Sequence, residues 1–306
     1  MTRVIYIGGL GRSGTTLLER MLGELPGVCP LGEVVHLWRR DIRDDERCGC
    51  GRRFSECDFW QAVGQHAFGG WDRVDVDRVL ALRTAVERTR YIPRLLGWHL
   101  PGEYGAQVAE YGYFYTRVYE AAAAVSGAST IVDSSKHSAL AYCLRWSADI
   151  DLRVVHMVRD SRGVAYSWTK TVPRPETDGV AQMTTYRPGR AALLWNAHNT
   201  ALGLLPRTGV PVHRLRYEEL LADPAAALRG VAEFAGLDVG ALDFLGDGTV
   251  RLGTCHSAAG NPMRFATGEV PLRHDDAWRA EFPPRQRRLV AALTAPLLTA
   301  YGYGRR

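Results

Sequence analysis

Long hydrophobic runs are missing from this sequence, and their absence excludes a membrane-spanning helix. The best apolar stretch, residues 289–301, is too short to cross a bilayer and contains Pro296. A dense block of basic residues is also missing, so the formal charge of +5 suits small anionic ligands rather than nucleic acid. We expect no secretory leader, because Met1 and Thr2 run directly into a strand-like segment. The expectation is a cytoplasmic protein with no membrane span and no nucleic-acid partner.

The sequence has six cysteines but lacks the CxxC pair with which zinc knuckles usually begin. Cys48, Cys50 and Cys57 lie in one short segment and could bind zinc together with His36 or His66. A local disulfide, or three thiols in a tight loop, is the interpretation that we favour. The remaining cysteines are expected to be small buried residues: Cys29, Cys143 and Cys255. No catalytic metal is predicted.

What the sequence does contain is the composition of an ordinary globular protein and a glycine-rich N-terminal segment. Of its 306 residues, 46% are hydrophobic and 23% are charged, which allows a sizeable core. The N-terminal segment has a strand-favouring run at residues 4–7, then several glycines, then a helical pattern from Thr15. Backbone N–H groups converge in such a turn and the helix dipole favours negative charge, so the segment predicts an anion site.

This loop approaches the P-loop pattern but departs from it at one position. Gly9 and Gly14 have the P-loop spacing and Thr16 follows, yet Thr15 stands where the P-loop lysine belongs. The basic residue of the loop is Arg12. This departure indicates that the anion is not the triphosphate of an ordinary NTPase. A glycine-rich turn that binds no ligand is the alternative interpretation.

Strand-like and helical segments alternate along the chain, which predicts an α/β fold. We expect a P-loop-like, three-layer arrangement with a central parallel β-sheet flanked by helices. Strands are predicted near residues 4–7, 28–31, 129–132, 152–158 and 212–215. Helices are predicted from the 3.6-residue period near residues 74–90, 107–125, 191–205, 224–235 and 284–299.

The domain organisation is predicted to be simple. We expect one domain over residues 1–306, with a helical and irregular insertion at about 34–125 on the acceptor side. Residues 41–72 show no clear period and are expected to be irregular, as are residues 246–278. The proline-containing segment 171–188 is predicted to be a mobile lid.

Basic and polar side chains follow several of the predicted strands. Because ligands of parallel sheets bind at the carboxyl ends of the strands, Arg12, Lys136, Arg159 and Tyr217 should line one crevice. Ser167 lies two turns along the helix after Arg159. Arginine recognises oxyanions in a bidentate manner and serine adds a hydroxyl donor. The Arg12 loop and the Arg159/Ser167 pair therefore predict a ligand with phosphates at two separated places.

Three motifs now point to one family. GRSGTTLL at 11–18, VRDSRGVAYS at 158–167 and RYEELLADP at 216–224 resemble sulfotransferases that use 3′-phosphoadenosine 5′-phosphosulfate (PAPS). Their combination in this order and separation is specific, and the resemblance extends from the first strand through Leu237. The segment 260–264 and the region of Trp278 look like the ends of bacterial members. The GRSGTT loop and a Gly-Glu pair at 32–33 are closer to the tyrosylprotein and carbohydrate-like branch.

The resemblance implies a donor-binding role for each matching residue. The loop that would hold the 5′-phosphosulfate consists of Arg12, Ser13, Gly14, Thr15 and Thr16. Arg159 and Ser167 would bind the 3′-phosphate, and Tyr217 would contact the adenine. Arg264 would close over the nucleotide. The implied product is adenosine 3′,5′-bisphosphate.

The resemblance leaves two candidates for the catalytic base, and we favour Glu33 over His137. Glu33 matches the glutamate of the tyrosylprotein-like branch, and His137 lies where the cytosolic branch has a histidine. Burial would raise the pKa of Glu33 toward neutrality. Arg12 and Lys136 would place positive charge at the oxygen that bridges sulfur and the leaving nucleotide, so that no metal is required.

The acceptor and the rival functions are less defined. We expect a hydroxyl of a small-molecule or carbohydrate-like acceptor, bound in a pocket that could be lined by Trp38, Trp60, Tyr113 and Tyr115. The alternatives are a P-loop-type nucleotide-dependent kinase and a non-catalytic nucleotide-binding protein. Asp133 is an acidic residue at a predicted strand end, and it leaves open a metal site like that of a kinase.

Overall fold

The centre of the molecule is a five-stranded sheet in which every neighbouring pair of strands is parallel. The structure is a computed structural model that describes residues 1–174 and 182–304. The strands are β1 (Thr2–Gly8), β2 (Val28–Pro30), β3 (Thr130–Lys136), β4 (Ile150–Val158) and β5 (Val212–Arg216). Their spatial order is β2-β3-β1-β4-β5, so β1 occupies the middle. Each strand lies where the sequence predicts one, and the predicted fold class is confirmed.

Alternate residues of β1 are buried on opposite faces of the sheet, as the two-residue period of a strand requires. Val4 and Tyr6 belong to one hydrophobic cluster, whereas Ile5 and Ile7 belong to another.

Helices cover both faces of the sheet and give the three layers. They are α1 (Thr15–Leu22), α2 (Asp58–Phe68), α3 (Val76–Val86), α4 (Ile92–Leu95), α5 (Gly102–Ser126), α6 (Ser138–Leu144), α7 (Ser161–Ser167), α8 (Pro188–Leu204), α9 (Tyr217–Ala222), α10 (Pro224–Ala235), α11 (Trp278–Glu281) and α12 (Pro284–Ala300).

Two segments are more regular than the sequence predicts. The first is residues 41–72. A π-helical turn (Leu37–Arg43) overlaps its start, and α2 lies near its end. Large aromatic rings pack this segment together: the rings of Phe54 and Trp60 lie 5.6 Å apart, and Trp71 Nε1 donates to the Trp60 carbonyl at 2.8 Å.

The second segment, predicted to be irregular over 246–278, contains a small antiparallel sheet. Its strands are β6 (Leu245–Gly246), β7 (Thr249–Leu252) and β8 (Gly268–Pro271). Val250 and Leu252 are buried and alternate with the exposed Arg251. This pattern is too short to distinguish a strand from a loop in sequence alone.

The predicted lid at 171–188 lies partly outside the described residues, since 175–181 are not described. On either side of that gap, Arg174 donates to the Glu46 carboxylate at 2.7 Å and Met183 contacts Arg12. Among the helices described, none is long and apolar enough to cross a membrane.

Candidate active site

The glycine-rich loop after β1 is held in place by the ends of neighbouring elements. Gly9 N–H donates to the Lys136 carbonyl at 3.2 Å, and Trp168 Nε1 donates to the Gly11 carbonyl at 2.9 Å. Gly14, the residue before α1, has a φ of 84°, and a Cβ there would lie 2.5 Å from the Tyr217 ring. A residue larger than glycine would therefore push Tyr217 away from the loop. We call the surface formed by this loop and the ends of β3, β4 and β5 the cradle.

Arg12 projects from the loop in an unusual backbone conformation. Its φ is 75°, in the left-handed region. Non-glycine residues with this backbone conformation cluster at functional sites. Its guanidinium lies 5.5 Å from the Trp168 ring centroid, and Nη2 contacts Met183 Sδ at 3.4 Å. Nε is buried and has no hydrogen-bond partner among the described residues. Burial lowers the pKa of Arg12, and the Glu33 carboxylate opposes that effect. The group remains a cation with an unused donor.

Lys136 and Glu33 form an ion pair beside this loop, between Nζ and Oε1. Their side chains are 11% and 12% exposed, so solvent screens the pair little. Burial favours a raised pKa for Glu33, but the Lys136 ammonium outweighs it, and the pKa is lowered. The prediction that burial raises the pKa of Glu33 toward neutrality is therefore wrong, because it left out the effect of Lys136. Lys136 also has a left-handed backbone, with φ of 70°.

The backbone around Glu33 is fixed by a buried acid that sequence reasoning missed. Glu19 of α1 is 1% exposed and accepts from the Gly32 N–H at 2.6 Å and the Ser134 hydroxyl at 2.7 Å. A Cβ at Gly32, whose φ is 82°, would lie 2.2 Å from the Ala258 carbonyl oxygen. That same oxygen accepts from the Glu33 N–H at 2.9 Å. The one sequence signal for Glu19 is a charged pair, Glu19 and Arg20, within the otherwise uncharged α1.

His137, the other predicted base, is engaged by a different carboxylate. Its Nδ1 lies 2.7 Å from Glu87 Oε1, and Tyr111 donates to Glu87 Oε2 at 2.5 Å. The His137 side chain is 38% exposed, whereas that of Glu87 is 1% exposed. His36 lies between the two pairs, 3.5 Å from Glu33 Oε2 and with its ring centroid 5.9 Å from that of His137. Burial holds the pKa of His36 well below its ordinary value, so the ring is neutral near pH 7.

Arg159 joins the end of β4 to the same loop. Its Nη1 donates to the Arg12 carbonyl at 3.0 Å, and its Nη2 donates to the Asp275 carbonyl and carboxylate at 2.9 and 3.1 Å. The guanidinium lies 4.5 Å from the centroid of the Tyr217 ring. Arg12, Arg159, Tyr217 and Lys136 therefore meet at the strand ends, where the sequence predicts them to converge.

The remaining residues of the predicted donor site lie at the edges of this cradle. Ser13, Thr15 and Thr16 are buried at the start of α1, with exposures of 1%, 2% and 8%. Ser167 is half-buried at the last position of α7, directly before the tryptophan that contacts the loop.

Arg264 is placed apart from the cradle and does not lie over an open site. It is 1% exposed, and its Nη1 donates to the Ser257 carbonyl at 3.0 Å. Its guanidinium lies 4.5 Å from the Phe265 ring centroid. The segment before it approaches the candidate base, since a Cβ at Gly260 would lie 2.9 Å from Glu33 Oε1.

The aromatic residues predicted to line an acceptor pocket belong mainly to the core. Trp38, Trp60 and Tyr115 are 0% exposed and pack in the large hydrophobic cluster on the α5 face. Tyr113, on the same helix as Tyr115, is 54% exposed. Ring size and spacing alone did not distinguish core packing from a binding surface.

Asp133 lacks the geometry of a Walker-type metal ligand. Its Oδ2 accepts from the Tyr119 hydroxyl at 2.5 Å, and its Oδ1 accepts from the Ser135 N–H and hydroxyl at 2.7 and 2.5 Å. Burial raises its pKa to about 7. Both oxygens are thus used inside the protein.

The cysteine segment shows one of the two arrangements favoured from sequence, three thiols in a tight loop, and not the other, a local disulfide. All six cysteines, each within the described residues, are free thiols, so no disulfide links Cys48, Cys50 and Cys57. The histidine beside them is His256. His36 lies next to Glu33 instead, and His66 is exposed on α2.

Comparison with known proteins agrees with this architecture. The sequence model of the Sulfotransferase family matches residues 4–240. The sulfotransferase domain from the Synechococcus PCC 7002 olefin synthase is 19% identical over 97% of this chain and 94% of that one, with a TM-score of 0.50. Sulfotransferase STF9 from Mycobacterium avium is 13% identical over 98% of this chain and 77% of that one, with a TM-score of 0.45. No curated protein sequence matches the chain significantly.

The family match covers the glycine-rich loop, the Arg159 segment and the Tyr217 segment, which the fold brings together at one edge of the sheet. The likeness to the Synechococcus domain shows the same fold. This chain belongs to the sulfotransferase family.

Proposed function

We propose that this enzyme transfers the sulfuryl group of PAPS to a hydroxyl of a small-molecule or carbohydrate-like acceptor, with Glu33 as the general base. The observation that carries the proposal is the grouping of Arg12, Lys136 and Glu33 beside a glycine-rich loop that opens a helix. In the transition state, negative charge develops on the oxygen that leaves sulfur. Two cations stabilise that charge, and the converging N–H groups hold the sulfuryl oxygens.

In this proposal the loop and the start of α1 hold the 5′-phosphosulfate. Arg159 and Ser167 bind the 3′-phosphate, and the Tyr217 ring contacts the adenine. Arg159 is already pre-positioned by the Arg12 carbonyl, and Asp275 is the partner that a phosphate would replace. Arg264 can close over the nucleotide only if the 310 turn at Pro262–Phe265 moves, because its side chain is buried.

The transfer step follows from the charges at the cradle. The acceptor oxygen attacks sulfur in line as the bond from sulfur to the nucleotide phosphate oxygen breaks, and the hydroxyl proton passes to Glu33. Because the pKa of Glu33 is lowered, its carboxylate is ionised at neutral pH, and it can accept that proton once Lys136 leaves it. Lys136 can shift from Glu33 to the leaving oxygen as negative charge develops there. The products are a sulfate ester and adenosine 3′,5′-bisphosphate.

A thermal-shift titration tests the donor assignment, with adenosine 3′,5′-bisphosphate, 5′-AMP and Mg-ATP as parallel ligands. A ligand that binds the folded state raises Tm by an amount set by its affinity. We expect strong stabilisation by the bisphosphate and weak stabilisation by 5′-AMP. Stabilisation by Mg-ATP alone would replace the proposal with a nucleotide-dependent kinase. Bisphosphate binding without transfer to any hydroxyl acceptor would favour a non-catalytic nucleotide-binding protein.

A further inference from the structure

Away from the cradle, four metal-binding side chains from distant parts of the chain meet at one point. Cys48, Cys50 and Cys57 lie between the π-helical turn and α2, and His256 follows β7. Their ligand atoms all lie within 4.8 Å of one another. We propose that these residues, the Cys3His cluster, form a closed structural zinc site.

Four ligand–ligand distances within the cluster lie at or near the values of a shared tetrahedral ion, and the shortest joins His256 and Cys57. Cys57 Sγ lies 3.6 Å from Cys48 Sγ and 3.8 Å from Cys50 Sγ. His256 Nδ1 lies 3.2 Å from Cys57 Sγ and 3.8 Å from Cys48 Sγ. Zinc–sulfur and zinc–nitrogen bonds of ordinary length place tetrahedral ligands about 3.6–3.8 Å apart. A disulfide would require sulfurs about 2 Å apart, so these separations fit a metal and not a covalent bond.

The cysteine segment is shaped by its own backbone. Gly51 N–H donates to the Cys48 carbonyl at 2.8 Å, and Cys48 N–H donates to the Arg52 carbonyl at 2.9 Å. Gly51 has a φ of 87°, which closes the turn after Cys50. Cys57 stands at the residue before α2. Three thiols are thus directed to one side of a tight turn.

The histidine is oriented by contacts that do not involve the thiols. Trp60 Nε1 donates to the His256 carbonyl at 2.7 Å, and the Phe59 ring stacks on the imidazole with centroids 4.9 Å apart. Gly49 N–H donates to the Ser257 carbonyl at 3.0 Å. These contacts dock the two segments on each other and fix the orientation of the imidazole ring.

The chemistry of the cluster indicates a structural rather than a catalytic ion. Four protein ligands complete a tetrahedron and leave no position for water or substrate. Cys48 and Cys57 are 0% exposed. On binding Zn²⁺, the three thiols lose their protons to solvent as they become thiolates, and neutral His256 supplies the Nδ1 lone pair.

The bound ion would join the cysteine segment to the backbone segment, residues 256–258, that supports Glu33. His256 is followed by Ser257, whose hydroxyl donates to Glu19 at 3.0 Å, and by Ala258, whose carbonyl accepts from the Glu33 N–H. The zinc site would therefore hold the backbone on which the candidate base rests, without touching the substrate.

Metal analysis of the full chain, purified without a histidine tag, tests the proposal. We expect about one zinc per chain, and loss of most of that zinc in His256→Ala after dialysis against a chelator. The matched control is His66→Ala, which removes an exposed histidine of α2 and should keep the zinc. Replacement of the bound metal by Co²⁺ should give the intense visible absorption of a tetrahedral thiolate site.

A second pair of variants keeps the test decisive if His256→Ala does not fold. Cys50→Ser removes the half-exposed sulfur and should lower zinc retention, whereas His256→Cys should retain the metal through a fourth thiolate. A chain that folds with three free thiols and no zinc would overturn the proposal. So would a Cys48–Cys57 disulfide detected by mass spectrometry, stoichiometric iron or copper in place of zinc, or full zinc retention in His256→Ala.

Discussion

Two carboxylate pairs lie side by side at the end of β3, and consecutive residues supply their basic partners. Lys136 pairs with Glu33, and His137 pairs with Glu87. The pKa of each carboxyl is lowered, because the basic partner and neighbouring groups outweigh the burial that would raise it. Both carboxylates are mostly buried, and each has a basic partner.

Their other contacts separate them. Glu87 also accepts from the Tyr111 hydroxyl and lies 3.3 Å from Arg83, so protein groups surround it. Glu33 faces Arg12 and Lys136, cations that a bound sulfuryl group would also attract. In the proposed mechanism, Glu87 would therefore position His137, whereas Glu33 would be released for proton transfer when the donor binds.

The largest expected effect comes from neutralising Glu33. Glu33→Gln should lower kcat by about 10²–10⁴ while leaving the affinity for adenosine 3′,5′-bisphosphate unchanged, because in the proposed mechanism Glu33 accepts the proton and does not hold the nucleotide. Steady-state kinetics and a binding titration measure the two quantities. His137→Asn is the comparison, and we expect it to keep most of the turnover. Normal sulfuryl transfer by Glu33→Gln, with loss in His137→Asn, would reverse the assignment.

Replacing Lys136 should have the next largest effect. Lys136→Met should lower kcat by about 10²–10³, since it removes charge stabilisation of the leaving oxygen. Lys136 and Lys170 are the only lysines in the chain, so Lys170→Met is a matched control that should keep kcat. Equal losses in both variants would point to a general charge effect and not to a role at the cradle.

A smaller effect is expected at the other end of the nucleotide. Arg159→Ala should weaken binding of adenosine 3′,5′-bisphosphate by about 10–100-fold, as expected for loss of a hydrogen-bonded charge, and should change 5′-AMP binding less. Isothermal titration of both ligands measures the difference. Arg162→Ala, which removes the partner of Asp160, is the control. Equal weakening of both ligands would remove Arg159 from the 3′-phosphate site.

The smallest effect should appear in the acid dependence of stability. The pKa of Glu33 in the folded state lies below its ordinary value of 4.5. The ion pair with Lys136 therefore stabilises the folded protein fully above pH 4.5, and this stabilisation is lost as the pH falls through the folded-state pKa. Glu33→Gln should therefore show a shallower fall in unfolding free energy below pH 4.5. Denaturant unfolding between pH 3 and 6 measures the slope, with Glu233→Gln, at an exposed position of α10, as the control. An unchanged slope would contradict the ion pair.

The parallel sheet could be predicted from sequence because each strand carries a local signal. The helix at Pro224–Ala235 was predicted with the bounds that the structure shows, since Asp223 caps it and Gly236 ends it. The helix at Asp58–Phe68 was missed although its buried residues, Trp60, Val63, Gly64 and Ala67, recur at helical spacing, because the glycine- and cysteine-rich segment before it masks so short a pattern.

The candidate site could be predicted only where its residues follow strands. The positions of Arg12, Lys136, Arg159 and Tyr217 follow from the rule for strand ends, although their roles remain predictions. The direction of the Glu33 pKa shift depends on a lysine 103 residues away, which no local pattern reveals. His256 was missed for the same reason, since it reaches Cys57 across 199 residues.

The central place of β1 has a consequence for how the chain folds during synthesis. Both neighbours of β1 come late: it pairs with β3 at 130–136 and β4 at 150–158. At the usual rate of about 5–20 residues per second, a ribosome needs roughly 8–30 s to span that distance. Until then the apolar residues 4–7 have no partner strand, and the glycine-rich loop lacks the strand ends that pack beside it. The first segment of the site to be translated is therefore among the last to become ordered, and it needs protection from aggregation while it waits.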